Sequence, residues 1–417
     1  MITIKNVTTA DGNTTDFSLP SKEAHILDGE GLTLLPALID PHVHFRTPGL
    51  EHKEDWMCAA KAALFGGITT VLDMPNTLPP TITLERLKAK KSLIQKQLKK
   101  CGIPLHFELY LGADKFHFDQ IKRCKNHIPA LKVFMGSSTG NLVMDDEESL
   151  HTAFRLCAEN DLLLAVHAED EALIKERKKL FQGKTDPITH SLLRNEEVAL
   201  RATKKAIELS LLYGTRLHLL HIGTKKEVEC IKQAKKEGVF VTFETTPHYL
   251  FLNVDDYAHL GTKAQINPPL RTKEDNDALW QAIQEGIVDT IGSDHAPHTL
   301  EEKTLPYGQA PSGIPGVETT LPLLLNACNQ GKISLLQIIR LMRENIQDIY
   351  RLSPNNDYIL VDMQKKMVIE DRHLKTKCSW SPYAGREIQG WPVYTILKGK
   401  IYDLQETLVQ EALVMVP

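Results

Sequence analysis

The stretch LLPALIDPHVHF, residues 34–45, is a short apolar run that ends in two histidines. Seven further runs of this kind follow along the chain, and helix-length, charge-rich segments separate them. Strands that alternate with helices in this regular way predict an α/β fold, a (β/α)8 barrel. The runs end at Phe45, Pro75, Gly112, Met135, Ala168, Gly223, Leu250 and Pro297, and helical segments include Leu84–Lys100, Glu147–Glu159, Glu196–Tyr213 and Lys225–Glu237.

The two ends of the chain have a different pattern. Apolar and polar residues alternate there between glycine- and asparagine-rich turns, as in MITIKNVTTADG, YILVDM, WPVYTILKGKIYD and EALVMV. Alternation with a period of two predicts half-buried β-strands. Because chain termini often lie close together, we expect residues 1–35 and 353–417 to form one small β domain beside a barrel of residues 36–352.

Composition and charge exclude several classes of protein. Hydrophobic residues make up 42% of the 417 residues and charged residues 24%, as in ordinary globular proteins. The formal charge of -4 argues against binding to nucleic acid or to an anionic membrane surface. The seven cysteines are scattered, no apolar run reaches ~18 residues, and no secretory leader is recognisable. We therefore expect reduced thiols, a cytoplasmic location and a small-molecule partner.

Titratable residues end several of the predicted strands, where barrel enzymes carry their reactive groups. His42 and His44 are two positions apart, so their imidazoles point to the same side of a strand. A His-x-His pair alone is as easily a structural pair as a metal site, and lone histidines such as His167 and His221 are more often hydrogen-bonded core residues. Asp294 shifts the balance, because a carboxylate at a barrel mouth is costly to bury unless it is paired or ligating. Together these side chains predict a site for zinc or another first-row divalent metal.

Lys132 lies in the predicted fourth strand between Leu131 and Val133. A buried ammonium group is unfavourable, and two interpretations remain open. One is a buried ion pair, for example with Asp294. The other is a neutral amine that reacts with carbon dioxide to form a carbamate, whose two oxygens bridge two metal ions. Desolvation favours the neutral amine that this reaction needs.

Several motifs, in this order, resemble the signatures of the cyclic amidohydrolases and, within them, of the dihydroorotases. They begin in the first predicted strand and continue into the C-terminal region, so the resemblance covers nearly the whole chain. The motifs are DPHVHFRTPGLEHKEDW (40–56), GGITTVLDMPNT (66–77), INPPLR (266–271), SDHAPH (293–298), SGIPGVET (312–319) and WSPYAGREIQGWPVYTILKGK (380–400).

The resemblance implies a reaction and a metal centre. The reaction is the reversible hydrolysis of (S)-dihydroorotate to N-carbamoyl-L-aspartate in pyrimidine synthesis. The implied nucleophile is a hydroxide held between two zinc ions, with Asp294 as acid and base, and a homodimer is expected by analogy. The implied zinc ligands are His42, His44 and Asp294 for one ion, His167 and His221 for the other, and a carboxylated Lys132 between them.

The resemblance also implies how the substrate is bound. Arg46, two residues after His44, offers a bidentate fork to the ring carboxylate, a group that allantoin and simple hydantoins lack. The other implied contacts are Asn76 and His298 for the carboxylate, Asn267 for the pyrimidine ring, and Ser312 and Gly313 through their backbone.

Some alternatives remain open. Turn chemistry beside a proline is, from the residues alone, the more common explanation of Asn76 and Asn267. A subgroup of dihydroorotases has an aspartate in a DDG loop instead of a modified lysine, whereas here GSSTGN follows soon after Lys132, which favours the lysine type. Ser137, Ser138 and Thr139 are consistent with a lid over the substrate or with a plain flexible loop.

Two other functions use the same framework. A dihydropyrimidinase, hydantoinase or allantoinase has the same metal cage, but Arg46 and Asn76 favour a substrate with a carboxylate. A metal-free assembly subunit is expected to lose metal ligands, and all six candidates are present in this chain.

Overall fold

The computed structural model describes residues 1–137 and 142–405. The first four strands belong to a sheet built from both ends of the chain. In it, β1 pairs antiparallel with β2 and parallel with β3 and β4. The bounds are β1 (Ile2–Thr9), β2 (Thr14–Leu19), β3 (His25–Asp28) and β4 (Thr33–Pro36).

The next nine strands are parallel and form the barrel that the sequence predicts. Only Tyr110 lies between β7 and β8, so these two short strands occupy one strand position and the barrel has eight strand positions. A parallel bridge between Val43 and His295 joins the last strand position to the first. The strands are β5 (Leu38–Val43), β6 (Ile68–Asp73), β7 (His106–Leu109), β8 (Leu111–Gly112), β9 (Ala130–Phe134), β10 (Leu163–His167), β11 (Leu217–Leu219), β12 (Val241–Thr245) and β13 (Thr290–Ile291).

Helices cover the outside of the barrel. Local signals explain their bounds: Asp146 accepts a hydrogen bond from the Ser149 amide at the start of one helix, and Gly214, with φ of 70°, ends another. No helix of the described residues is long and apolar enough to cross a membrane. The helices are α1 (Trp56–Phe65), α2 (Leu84–Cys101), α3 (Asp119–Cys124), α4 (Glu147–Glu159), α5 (Glu171–Leu180), α6 (Thr189–Leu193), α7 (Glu196–Tyr213), α8 (Lys225–Lys236), α9 (Pro247–Phe251), α10 (Tyr257–Leu260), α11 (Lys273–Gln284), α12 (Leu300–Lys303), α13 (Thr320–Asn329), α14 (Leu335–Ile339) and α15 (Asn345–Tyr350), with a π-helical turn at Arg340–Glu344.

Four predicted strands have clearly different bounds in the structure. The sixth is a strand only at Leu217–Leu219, although its run extends to Gly223. The first run divides between β4 and β5, which belong to different sheets. The seventh run ends as a strand at Thr245, because Pro247 occupies the first turn of α9, where its missing N–H is not needed. The eighth is a strand only at Thr290–Ile291, since Asp294 has a positive φ that extended backbone does not allow.

The chain returns after the barrel to complete the terminal sheet, whose order is β16-β15-β14-β4-β1-β2. The small β domain expected from the two chain ends is therefore confirmed, while its boundaries at residues 35 and 353 stay a prediction. The predicted strand EALVMV lies outside the described residues. The added strands are β14 (Tyr358–Val368), β15 (Glu387–Leu397) and β16 (Lys400–Asp403).

Candidate active site

A cavity of about 360 Å³ opens at the carboxyl ends of the barrel strands. Of the candidate metal ligands and substrate contacts, all but His298 line it. Apart from Phe134 and Ala296, the lining consists of those predicted residues: His42, His44, Arg46, Asn76, Lys132, His167, His221, Asn267, Asp294, Ser312 and Gly313. Of the candidate lid, Ser137 is not part of the lining, and Ser138 and Thr139 lie outside the described residues.

One group of candidate ligands lies where β5 meets the segment that follows β13. The Nε2 atoms of His42 and His44 are each 3.2 Å from Oδ1 of Asp294. The Nδ1 atom of His42 is 2.7 Å from Glu244 Oε1, and that of His44 is 2.8 Å from Asn76 Oδ1. Because these outer oxygens accept the Nδ1 protons, both Nε2 lone pairs face the carboxylate. Two imidazoles and a carboxylate converging in this way can hold a divalent metal.

A second group follows β10 and β11. Nδ1 of His167 lies 2.9 Å from Nε2 of His221, and Nε2 of His167 lies 3.1 Å from Glu169 Oε2. Since Glu169 accepts the Nε2 proton, Nδ1 of His167 carries the lone pair that faces His221. Nδ1 of His221 is buried without a partner in the described residues. Two facing imidazoles of this kind can bind a second cation.

Burial keeps these imidazoles neutral. It lowers the pKa of His42 to about 3, and it lowers the pKa values of His44, His167 and His221 from their usual value of 6.5. A neutral imidazole retains a lone pair, which is the form that ligates a metal.

Lys132 lines the same cavity and is 1% exposed, and its charge lowers the pKa values of histidines in both groups. The ion pair with Asp294 that the sequence left open is not formed: in residues 1–137 and 142–405, no carboxylate oxygen lies within 4.0 Å of Lys132 Nζ. Nζ of Lys132 lies 4.6 Å from the centroid of the Phe134 ring. Burial lowers the pKa of Lys132 to about 7, so a substantial neutral fraction is available near neutral pH.

Arg46 is a second buried cation without an acidic partner. Its side chain is 2% exposed, and Nε donates a hydrogen bond of 3.0 Å to the carbonyl of Pro297. No carboxylate oxygen of the described residues lies within 4.0 Å of its guanidinium. Burial lowers the pKa of Arg46 to about 10, which leaves it charged at neutral pH. A charged guanidinium that lines a cavity in this state favours an anionic ligand.

Comparison with known proteins identifies the family. Residues 33–402 match the amidohydrolase family. The chain belongs to that family. It is 33% identical over 420 residues to the dihydroorotase of Halobacterium salinarum, with 96% of each chain covered. Its fold is similar to the L-hydantoinase (dihydropyrimidinase) of Arthrobacter aurescens, with a TM-score of 0.89, 27% identity, and 96% and 95% of the two chains covered. A dihydropyrimidinase from Brevibacillus agri matches with a TM-score of 0.84, 27% identity and 96% and 94% coverage.

His298 has a different place in this amidohydrolase from the other predicted residues. It contacts Arg46 but does not line the cavity. Nε2 of His298 lies 3.2 Å from Arg46 Nη2 and 3.0 Å from the carbonyl oxygen of Ser312, and Nδ1 lies 2.9 Å from Lys53 Nζ. Burial lowers the pKa of His298 to about 3, so the imidazole is neutral. His298 thus connects the Arg46 side of the cavity to the Ser312 side.

The amidohydrolase backbone is strained at three cavity residues. Arg46, His221 and Asp294 have φ values of 60°, 42° and 45°. Such conformations cost about 1–3 kcal/mol each in non-glycine residues and persist only where the surrounding structure imposes them. Gly313 is also constrained, since a Cβ there would lie 2.4 Å from the Ala296 carbonyl oxygen. The fold therefore holds these side chains in orientations that relaxed strands do not provide.

Two buried carboxylates behind the histidines escaped the sequence analysis. Glu244 supports His42, and Glu169 supports His167. Both are completely buried. A signal was present for each, because Glu244 lies in the predicted seventh strand and Glu169 is two residues after His167. Nothing in the sequence, however, shows which histidine each carboxylate reaches across the barrel.

Proposed function

We propose that this amidohydrolase is a dihydroorotase, which reversibly hydrolyses (S)-dihydroorotate to N-carbamoyl-L-aspartate. The observation that carries the proposal is Arg46, a buried guanidinium that lines the cavity and faces no carboxylate of the described chain. Dihydroorotate brings a ring carboxylate that a planar fork binds through two hydrogen bonds. Uncharged hydantoins and dihydrouracil bring no such group.

The relatives support this choice over its alternative. Similarity to a curated dihydroorotase extends over 96% of the chain. The solved structures with a similar fold are named hydantoinases and dihydropyrimidinases, so a cyclic amidase for an uncharged ring is the second candidate. A shared barrel does not determine the substrate, whereas a buried guanidinium that faces no carboxylate of the described residues favours a charged ring over a neutral one.

The proposal includes two zinc ions per chain, a cytoplasmic location and a homodimer. The donor set fits this metal centre: neutral imidazoles facing one another, one carboxylate, and a lysine in the same cavity that has no ion-pair partner among the described residues. Bound there, the metals supply a nucleophilic water near neutral pH and polarise the scissile amide carbonyl. The proposed ligands are His42, His44 and Asp294 for one zinc, His167 and His221 for the other, and a carboxylated Lys132 that bridges both.

The side chains of the cavity then have distinct tasks. Asp294 takes a proton from the attacking water on its carboxylate and delivers it to the departing ring nitrogen. Arg46 binds the ring carboxylate and so orients the scissile bond. Asn76 accepts the Nδ1 proton of His44 and lines the same cavity as Arg46, while His298 contacts both Arg46 and the Ser312 carbonyl.

The test combines metal analysis with ring opening of two substrates by one purified sample. Dihydroorotate and dihydrouracil differ in the ring carboxylate, and we expect a strong preference for dihydroorotate with about two metals per chain. Loss of a buried bidentate contact costs roughly 2–4 kcal/mol, so Arg46→Met lowers kcat/KM for dihydroorotate by roughly 30- to 1,000-fold. Arg46→Lys remains impaired because it loses the planar fork.

Metal content serves as the control, since Arg46 is not a proposed ligand and its replacement leaves the histidines intact. Equal kcat/KM values of the native protein for both substrates, or a preference unchanged in Arg46→Met, would replace the dihydroorotase proposal with the dihydropyrimidinase one.

A further inference from the structure

His190, on the short helix α6, contacts the residue proposed to read the substrate ring. Its side chain is buried, and its Nε2 atom is 2.9 Å from the carbonyl oxygen of Ile266 and 2.8 Å from Oδ1 of Asn267. Asn267 lines the cavity. His190 is outside the cavity lining, so any influence it has on a ligand acts through Asn267.

These contacts determine which way round the Asn267 carboxamide lies. A backbone carbonyl oxygen can only accept, so Nε2 of His190 must carry a proton and donate it to Ile266. The same N–H then faces the Asn267 side chain, and only its oxygen is compatible with a donor. A reversed carboxamide would place two donors against each other. The amide nitrogen of Asn267 is thereby directed away from His190.

The amide nitrogen of Asn267 has no acceptor among the described residues, and the side chain is only partly buried because it borders the cavity. Burial lowers the pKa of His190 to about 4, and the nearby Arg194 acts in the same direction. His190 thus stays neutral, with its single ring proton held by the Ile266 carbonyl.

We propose that His190 is a positioning residue that makes Asn267 a hydrogen-bond donor toward a carbonyl oxygen of the substrate ring. This inference rests on the proposed function only in that the ligand is a cyclic amide. It selects rings that place a carbonyl, rather than an N–H, opposite Asn267. His190 therefore contributes to substrate specificity without contacting the substrate.

The test is a double-mutant cycle of His190→Phe and Asn267→Ala, with kcat and KM measured separately. Losing one neutral hydrogen bond to the ring lowers kcat/KM about 3- to 10-fold, and we expect each single variant to show this loss. If His190 acts through Asn267, the double variant is no worse than Asn267→Ala alone. Multiplicative losses in the double variant overturn the proposal.

Ser191→Ala is the matched control on the same helix. The Ser191 hydroxyl lies 2.8 Å from the Leu270 carbonyl oxygen and 3.1 Å from the Tyr257 hydroxyl, and it forms no hydrogen bond with Asn267, so its removal weakens the same segment without freeing the carboxamide. A kcat/KM loss in Ser191→Ala as large as that in His190→Phe means that only the anchoring of the segment matters, and the proposal is overturned.

His190→Gln is the second variant, which keeps the test decisive if the phenylalanine variant does not fold. A glutamine amide retains an N–H donor for both oxygens, so recovery to within about 3-fold of the native kcat/KM supports the proposal. A loss equal to that of Asn267→Ala contradicts it. If the native protein opens dihydrouracil but not dihydroorotate, the proposed function fails while the cycle still reports on His190, because both rings carry the carbonyl groups.

Discussion

The wall of the barrel and the cavity at its carboxyl end each contain a buried lysine. Only the lysine in the wall has a carboxylate beside it among the described residues. In the wall, Lys90 of α2 is 2% exposed and its Nζ lies 2.5 Å from Asp73 Oδ2 and 2.9 Å from the Met74 carbonyl. In the cavity, Lys132 is 1% exposed and has neither an ion-pair nor a hydrogen-bond partner among the described residues. The wall compensates its buried charge within the chain, whereas the cavity leaves a group that a ligand or a modification must satisfy.

The largest expected effect comes from removing the cavity lysine. Lys132→Ala deletes the proposed bridging ligand, and because metal assistance supplies several kcal/mol, activity falls by about 1,000-fold or more. A short carboxylic acid in the buffer is expected to restore part of it by replacing the carbamate. Ring-opening assays and metal analysis check this prediction.

Measurements of stability distinguish the proposed ligand role of Lys132 from a structural role. Lys132→Met keeps the volume and removes an uncompensated amine, so the metal-free protein is expected to melt at the same or a higher temperature. A variant at Lys132 that keeps more than a tenth of the native activity with full metal content contradicts the proposed ligand role.

Replacing Lys90 in the wall is expected to lower stability and to leave activity unchanged, the reverse of what is expected for Lys132. Lys90→Met leaves Asp73 buried without its cation, and breaking such a pair costs about 3–5 kcal/mol in the free energy of unfolding. The surviving folded protein keeps normal kcat. Lys88→Met, an exposed position on the same helix, is the control and is expected to change stability by less than about 0.5 kcal/mol. Denaturant unfolding curves of both variants make the comparison, and equal losses would show that the pair with Asp73 is not what stabilises the wall.

A smaller effect is expected at the carboxylate behind His42. Glu244 orients that imidazole, and loss of such an outer partner lowers metal affinity about 10- to 100-fold. Glu244→Gln is therefore expected to release metal at lower chelator concentration than the native protein. The control is Glu227→Gln, which alters a buried glutamate that bonds Thr224 and Thr203 away from the cavity. Equal metal retention in Glu244→Gln and the native protein would remove Glu244 from the metal site.

The last expected effect is a pH dependence of the free energy of unfolding that arises outside the cavity. Burial raises the pKa of Glu318 from 4.5 to about 8, although the amides of Lys375 and Thr376 donate to its carboxylate. The folded state then holds a proton that the unfolded state releases above pH 4.5. This contribution to stability is complete below pH 4.5 and is lost as the pH rises to about 8, with a slope of up to about 1.4 kcal/mol per pH unit. Unfolding curves of native protein and Glu318→Gln between pH 5.5 and 7.5 measure it, and parallel pH profiles would exclude it.

Much of the architecture depends on contacts within single segments of the chain, so it could be predicted from the sequence. The bounds of α4 and α7 agree with the sequence prediction, because Asp146, Asn195 and Gly214 mark helix ends through contacts within the same segment. The end of β12 was missed, because apolar residues resume at Tyr249 and Leu250 after the polar residues 244–246, and these resumed apolar residues belong to α9, which begins at Pro247. Short apolar runs do not distinguish a strand from a buried helix, and only the packing decides between them.

The same distinction between local information and tertiary packing applies to the residues of the cavity. By itself the sequence determined the eight-fold alternation, the motifs, and the residue types that gather at the strand ends, because parallel strands bring their carboxyl ends to one rim whatever the loops do. Only the tertiary structure decided that Lys132 has no carboxylate partner, that Glu244 reaches His42, and that His190 orients Asn267 from 77 positions away. These are contacts between distant segments, and their geometry depends on how the whole barrel packs and on the strained backbone that packing imposes.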